Sequence, residues 1–221
     1  PIIAAMNRLE TVRIPLTRTG HHDLAAMADA ARDARVMVLC RPHNPTGTVE
    51  SAAAVETLLA RLPGTLVVLD EAYVEFLAPA HRIDSATLVE RFANVVVLRT
   101  FSKAYGLAGL RIGYGFGSRD LADTLWAMQL PFGMSVTSLV AVEASYRAES
   151  QLRQRICSIT AERERLRTQL ADLRVDTIPG HANFLYLPPG DGSRRLGDEP
   201  GLRVKRYRDG AVRLSVGAHS S

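Results

Sequence analysis

The stretch "LRTFSKAYGLAGLRIGYGFG", residues 98–117, decides the fold. It closes one apolar run and opens another, which puts Lys103 in a loop between two strands expected to be buried. Ser102 stands directly before it and Arg111 eight residues after.

Upstream, short apolar runs alternate with helical patterns: "TVRIPL", "HDLAAMADAARDA", "VMVLC", "SAAAVETLLARL", "TLVVLDEAYVEF", a further helical stretch, then "NVVVLRTF". Such alternation is what βαβ units around a mostly parallel sheet produce, and the continuous apolar runs predict strands buried on both faces. The fold class expected is α/β and doubly wound. Ligands of such sheets sit outside the carboxyl ends of the strands, which directs attention to Asn44, Asp70 and Lys103.

Beyond Tyr114 the pattern changes. "DLADTLWAMQLPFGMS" reads as a helix broken at Pro131 and Gly133, followed by a long helical run over 136–173 with a joint near Glu149. "RVDTIPGHANFLYLP" and "LRVKRYRDGAVRLSVG" read as strands, and "PPGDGSRRLGDEPG" between them as a mobile loop. The expected organisation is a large domain over 1–148 and a smaller α+β domain over 149–221.

A chain of 221 residues with 47% hydrophobic and 23% charged content can bury a sizeable core. Its 27 basic residues face 23 acidic ones, and the densest basic stretch, "ERERLRTQLADLR", interleaves both signs as a solvated helix face does, so no nucleic-acid partner is expected. No apolar run is long enough to span a bilayer, and no secretion signal is recognisable, so no membrane partner is expected and the default location is cytoplasmic. Cys40 and Cys157 read as thiols of a reducing compartment. The chain opens on Pro1 rather than methionine, as though cut from a longer protein.

At the three strand ends the residue types carry chemistry. In "RPHNPTGTV", Pro45 holds Asn44 away from helical dihedrals and Gly47 can take positive φ. Alone this is a turn; at a strand end the Asn44 amide can also donate to a ligand oxygen. "VVLDEAYVEF" delivers Asp70 to a strand end, where a carboxylate needs a partner; a helix cap and a salt bridge both qualify, while suitably spaced His and Cys for a metal are missing. Lys103, partly desolvated beside Arg111 and surrounded by Ala104, Gly106, Ala108 and Gly109, would be a nucleophile toward an aldehyde. Ser102 and Arg111 suit an anionic group such as phosphate. Asparagine, aspartate, tyrosine, lysine, serine and arginine are thus expected to converge on one crevice, the combination that pyridoxal 5'-phosphate requires.

In this order and spacing, "NPTG", "DEAYVEF" and "FSKAYGLAGLRIGY" resemble the aspartate-aminotransferase superfamily of fold type I, and within it histidinol-phosphate aminotransferases, over essentially the whole chain as far as "VRLSVG". The resemblance implies a three-layer large domain and a small α+β domain. It implies that Lys103 carries the cofactor and serves as the catalytic base, that Asp70 pairs with the pyridine nitrogen, and that Asn44 and Tyr73 hydrogen-bond the 3'-oxygen. Ser102 and Arg111 would hold the phosphate, and Arg213 the substrate α-carboxylate. The partners implied are an amino donor and a 2-oxo acid: histidinol phosphate and 2-oxoglutarate giving imidazole acetol phosphate and glutamate. A homodimer is implied for the full-length form. Lys205 or Arg206 would suit a phosphorylated substrate, and Asn183 matches a recurrent segment without a fixed role. The chain departs from the pattern by lacking the family's N-terminal portion, which carries further phosphate donors and an aromatic residue that stacks on the ring. An aromatic amino-acid aminotransferase, a decarboxylase of amino-acid phosphates and a non-catalytic fragment remain open at this point.

Overall fold

The computed structural model describes residues 2–217. A short first helix, α1 (Ile2–Met6), precedes an irregular segment that touches β structure only through the isolated bridge Leu16↔His22. The strand expected at "TVRIPL" does not form, because Arg13 and Pro15 interrupt its apolar pattern and Pro15 removes a ladder donor.

Four strands then build the main sheet in spatial order: β1 (Val36–Cys40), β2 (Leu66–Asp70), β3 (Val95–Thr100) and β4 (Gly113–Gly117). β1 to β3 are parallel and β4 returns antiparallel to β3. The crossovers are α2 (Leu24–Ala30) leading into β1, α3 (Ala52–Arg61) between β1 and β2, and α4 (Ser85–Arg91) between β2 and β3. Each begins where a short polar side chain accepts a backbone N–H of the first turn: Asp23 from Ala26, Ser51 from Ala54 and Asp84 from Thr87. Met27, Val55, Leu58, Leu59 and Leu88 of these helices pack on Met37, Leu39, Val67, Leu69, Val95 and Val97 of the sheet. Burying such side chains contributes about 1.5–3 kcal/mol each, and this packing holds the strand ends in register.

The other face is covered only in part: Val96 is buried there, but Val36, Val38 and Leu98 are 52%, 60% and 40% exposed and β4 is largely exposed, which corrects the expectation of strands buried on both sides. The continuous apolar runs reported hydrophobicity on both faces, but α2, α3 and α4 pack on one. Asp70, in register with Cys40 and Leu98, lies on the partly open face.

α5 (Arg119–Ala127) ends before Pro131 and Gly133, and Trp126 in its last turn is exposed together with Met128, Leu130 and Phe132 beyond it. α6 (Val136–Arg147), capped by Ser135, and α7 (Glu149–Asp172) meet at Ala148, where the sequence placed the joint. A second sheet follows in the order β5 (Phe184–Leu187), β7 (Val212–Ser215), β6 (Lys205–Arg206), all antiparallel. The stretch expected to be a mobile loop contains α8 (Asp191–Asp198), in which Ser193 bonds the backbone of Gly190 in both directions. Its Gly content masked a helix whose buried side, Ser193 and Gly197, is made of small residues. A second core joins Ile159 and Leu170 of α7 to Phe184, Leu185, Leu187 and Val212, and reaches across to Tyr73, Phe76 and Ala104. No helix among the described residues is long and apolar enough to cross a membrane.

Candidate active site

The parallel ladder of β2 and β3 ends at Asp70, paired with Leu98. Beyond that point the chains diverge and leave a crevice of about 340 Å³ lined by Asp70, Ala72, Thr100, Ser102, Lys103 and Arg111, among others. Four of the residues singled out from the sequence thus meet in one place: Asp70, Ser102, Lys103 and Arg111.

Each is positioned by local chemistry. The half-buried Asp70 carboxylate accepts the Ala72 amide at 3.0 Å through Oδ1, an Asx-type turn that leads the chain off the sheet. The Thr100 hydroxyl accepts the Ser102 amide at 3.0 Å and so shapes the turn into Lys103. Arg111 sits in the left-handed region at φ 53°, and its Nη1 donates to Ala108 O at 2.9 Å, which leaves its other donors without a recorded partner. Lys103 is exposed rather than partly desolvated. Its Nζ lies 5.5 Å from the centre of the Tyr73 ring.

The small neighbours of Lys103 do not all open room for a ligand, as the sequence suggested. Ala104 is fully buried in the second core, and Gly106, at φ 72°, lies under the Arg155 guanidinium, where a Cβ would meet Nη1 at 2.7 Å. Only Ala108 lines the crevice.

From Tyr73 the site continues into the second sheet. Tyr73 is buried and meets Phe184 edge-on at 5.2 Å, and the Arg213 guanidinium lies over Phe184 at 5.0 Å. Arg213 Nη1 donates to Asn44 Oδ1 at 2.7 Å. Burial pushes the Tyr73 hydroxyl up; Arg213 opposes this, while Cys40 and Asp70 add to it. Asn44 and Arg213, bonded to each other, are not among the residues that line the crevice itself. Arg213 Nε is buried without a hydrogen-bond partner, an orphan donor of the kind that a carboxylate satisfies.

Arg213 stands in register with Tyr186 on one side and Lys205 on the other, so the three side chains share a sheet face. Arg206 points to the opposite face and is tied to Asp198 at 2.7 Å and to the Gly197 carbonyl. Of the two cations considered from the sequence, Lys205 alone accompanies Arg213. Asn183 is engaged through its backbone, accepting the Val216 amide at 2.9 Å.

Sequence reasoning missed Thr100. The available signal was strand alternation: the position beyond Leu98 on the same face carries a hydroxyl next to Ser102. Among the described residues no cluster of His, Cys, Asp or Glu could hold a metal ion.

The donor set suits a phosphorylated aldehyde with a basic ring nitrogen. Two hydroxyl residues, Thr100 and Ser102, an arginine, a lysine and, at the strand end, a carboxylate line the one crevice. The family model described as "Aminotransferase class I and II" matches residues 1–221. An aromatic amino acid aminotransferase of Cutibacterium acnes is 41% identical over 222 residues, covering 98% of this chain and 63% of that protein. A histidinol-phosphate aminotransferase of Thiobacillus denitrificans is 44% identical over 175 residues, 78% of this chain and 46% of that protein. Among solved structures, histidinol-phosphate aminotransferase from Sinorhizobium meliloti in complex with pyridoxal-5'-phosphate superposes with TM-score 0.88 at 28% identity, over 96% of this chain and 61% of that one. The chain thus spans less than two thirds of the length of these relatives.

Proposed function

The chain belongs to the class I and II aminotransferase family, and from that premise we propose that it forms the catalytic part of a pyridoxal-phosphate-dependent transaminase. The observation that carries the reading is the single crevice uniting Lys103, Asp70, Ser102 and Arg111. When bound, pyridoxal phosphate supplies an aldehyde and an electron-withdrawing ring that lets a proton leave the substrate α-carbon.

The chain's own residues do the rest. Lys103 Nζ would hold the aldehyde and, as a free amine, would be the base that moves the proton at the substrate α-carbon. Asp70 would keep a proton on the ring nitrogen, since a nearby opposite charge favours the protonated form by about 1–3 pKa units. Ser102, Thr100 and Arg111 bind the phosphate. Asn44 offers Oδ1 to Arg213, which leaves its amide N–H groups, with the Tyr73 hydroxyl, for the 3'-oxygen. Arg213 grips the substrate carboxylate through the donors it does not share with Asn44. The functional division we propose is a cofactor-binding large domain over 1–148 and a small domain over 149–221 that brings Arg213 to it.

For the donor, Lys205 in register with Arg213 supports a doubly charged anionic group at this end of the substrate: the phosphate of histidinol phosphate, which has no α-carboxylate, with the dicarboxylate 2-oxoglutarate as acceptor. The curated relatives named aromatic amino acid aminotransferases support a second reading, an aromatic amino acid as donor. A donor panel on the pyridoxal-phosphate-loaded protein, followed by loss of the cofactor's aldehyde absorbance, separates them. Response to histidinol phosphate that falls on Lys205→Ala supports the first; response to tyrosine or phenylalanine alone overturns it. The exposed apolar band at Trp126–Phe132 supports pairing with a second copy, which sedimentation of Trp126→Glu beside the parent tests.

A further inference from the structure

Strand alternation sends neighbours to opposite faces: Asp70 and Thr100 share the crevice face, whereas Arg99, which also lines the crevice, is directed with Glu71, the first residue past β2, toward the other face. There they meet. Arg99 donates to Glu71 Oε2 from Nε at 3.0 Å and from Nη2 at 2.9 Å. The Ser85 hydroxyl, at the first residue of α4, lies 2.9 Å from both Glu71 oxygens, and Arg99 Nη2 lies 3.4 Å from Ser85 Oγ. Glu71 is 0% exposed, and the Arg99 guanidinium also stands over the Phe116 ring of β4 at 5.5 Å.

Glu71 is buried and the Arg99 side chain is 26% exposed; an ion pair with a buried member is a weak source of stability, because desolvation offsets most of the attraction and apolar residues of similar volume often replace it without loss. What it supplies is geometry. The last ladder contact between the two strands is the Glu71 amide on Leu98 O at 2.9 Å; beyond it the chains separate, and the Glu71–Arg99 pair links them. One residue past Arg99, Thr100 holds the Ser102 amide, and Lys103 follows.

We infer that Glu71, Arg99 and Ser85 form a brace behind the site that fixes the Thr100–Lys103 turn relative to Asp70, with Glu71 and Arg99 as positioning residues. The brace is a property of the folded chain by itself; its effect on cofactor binding rests on the function proposed above.

The test compares the parent with the paired apolar variant Glu71→Met/Arg99→Met. Three readouts are used: thermal unfolding, hydrogen exchange of peptides spanning residues 99–106, and the pyridoxal phosphate concentration that half-saturates borohydride-fixed labelling of Lys103. The expected result is unfolding within a few degrees of the parent, exchange at least tenfold faster confined to 99–106, and half-saturation raised at least tenfold. Unchanged exchange and unchanged labelling in a folded variant overturn the brace. Should the parent itself take no label while exchange in 99–106 still rises, the brace stands and the cofactor reading falls. If the paired variant does not fold, Glu71→Gln is read in the same way: faster exchange confined to 99–106 supports the brace, and faster exchange spread through the chain overturns it.

Discussion

Arg213 Nη1 and Asn44 Oδ1 lie 2.7 Å apart, joining residues 169 positions distant in sequence and bringing the second sheet onto the turn at the end of β1. The bond uses one edge of the guanidinium and leaves Nε buried and unpartnered. Arg213→Lys removes the planar fork but keeps the charge. Half-saturating amino donor is expected to rise about 10- to 100-fold, the equivalent of the roughly 1.5–3 kcal/mol of a charge-assisted hydrogen bond, while Lys103 labelling by the cofactor alone stays within about twofold. Donor titrations and mass spectrometry on one preparation check both.

Asp70→Asn retains an oxygen for the Ala72 amide and removes only the charge. The turn is expected to survive, and the first half-reaction with saturating donor to slow at least tenfold, since about 1–3 pKa units of support for the protonated ring are lost. Stopped-flow absorbance gives the rate; a variant as fast as the parent rules out the assigned role for Asp70.

Gly47 takes φ 77°, and a Cβ there would stand 3.0 Å from Gly180 Cα of the opposing segment, next to the His181 amide that bonds Gly47 O at 2.8 Å. Gly47→Ala is expected to cost roughly 1–2 kcal/mol from the left-handed conformation alone, a fall of about 2–8 °C in Tm. Gly109→Ala, which meets nothing within 4 Å, is the control and should change stability by less than about 0.5 kcal/mol. Calorimetry of the two variants decides.

Burial pushes the Glu75 carboxyl up to about 7 from its ordinary 4.5, with Glu71 adding and Arg99 and Arg82 opposing. The folded protein therefore keeps a proton there that the unfolded chain releases, and stability falls as pH rises between those values. Glu75→Gln should raise stability at pH 8 by roughly 1–3 kcal/mol and leave it nearly unchanged below about pH 4.5. His43 works in the other direction: burial and His22 push it down to about 4 from 6.5, so the unfolded chain takes the proton first and stability is lost as pH falls through that window. Denaturant titrations across pH read both slopes.

The sequence made legible what local chemistry and periodicity write directly. Three parallel strands, the break at Pro131 and the joint before Glu149 followed from apolar runs and from breaker residues. The convergence of Asp70, Ser102, Lys103 and Arg111 followed from their placement at strand ends. Coverage of a face is a tertiary fact, and β1 reads the same whether one face or two are packed. α8 was hidden because its Gly and Asp read as loop, although its small residues are those that pack. The Arg213–Asn44 bond and the Glu71–Arg99 pair join distant segments, and no spacing along the chain encodes either.

The most direct test mixes the purified chain with pyridoxal phosphate, reduces with borohydride and maps the added mass, with Lys103→Ala as control. The account predicts one modification, on Lys103, abolished by the substitution. Absent labelling, or labelling scattered over several lysines and unaffected by Lys103→Ala, would contradict it.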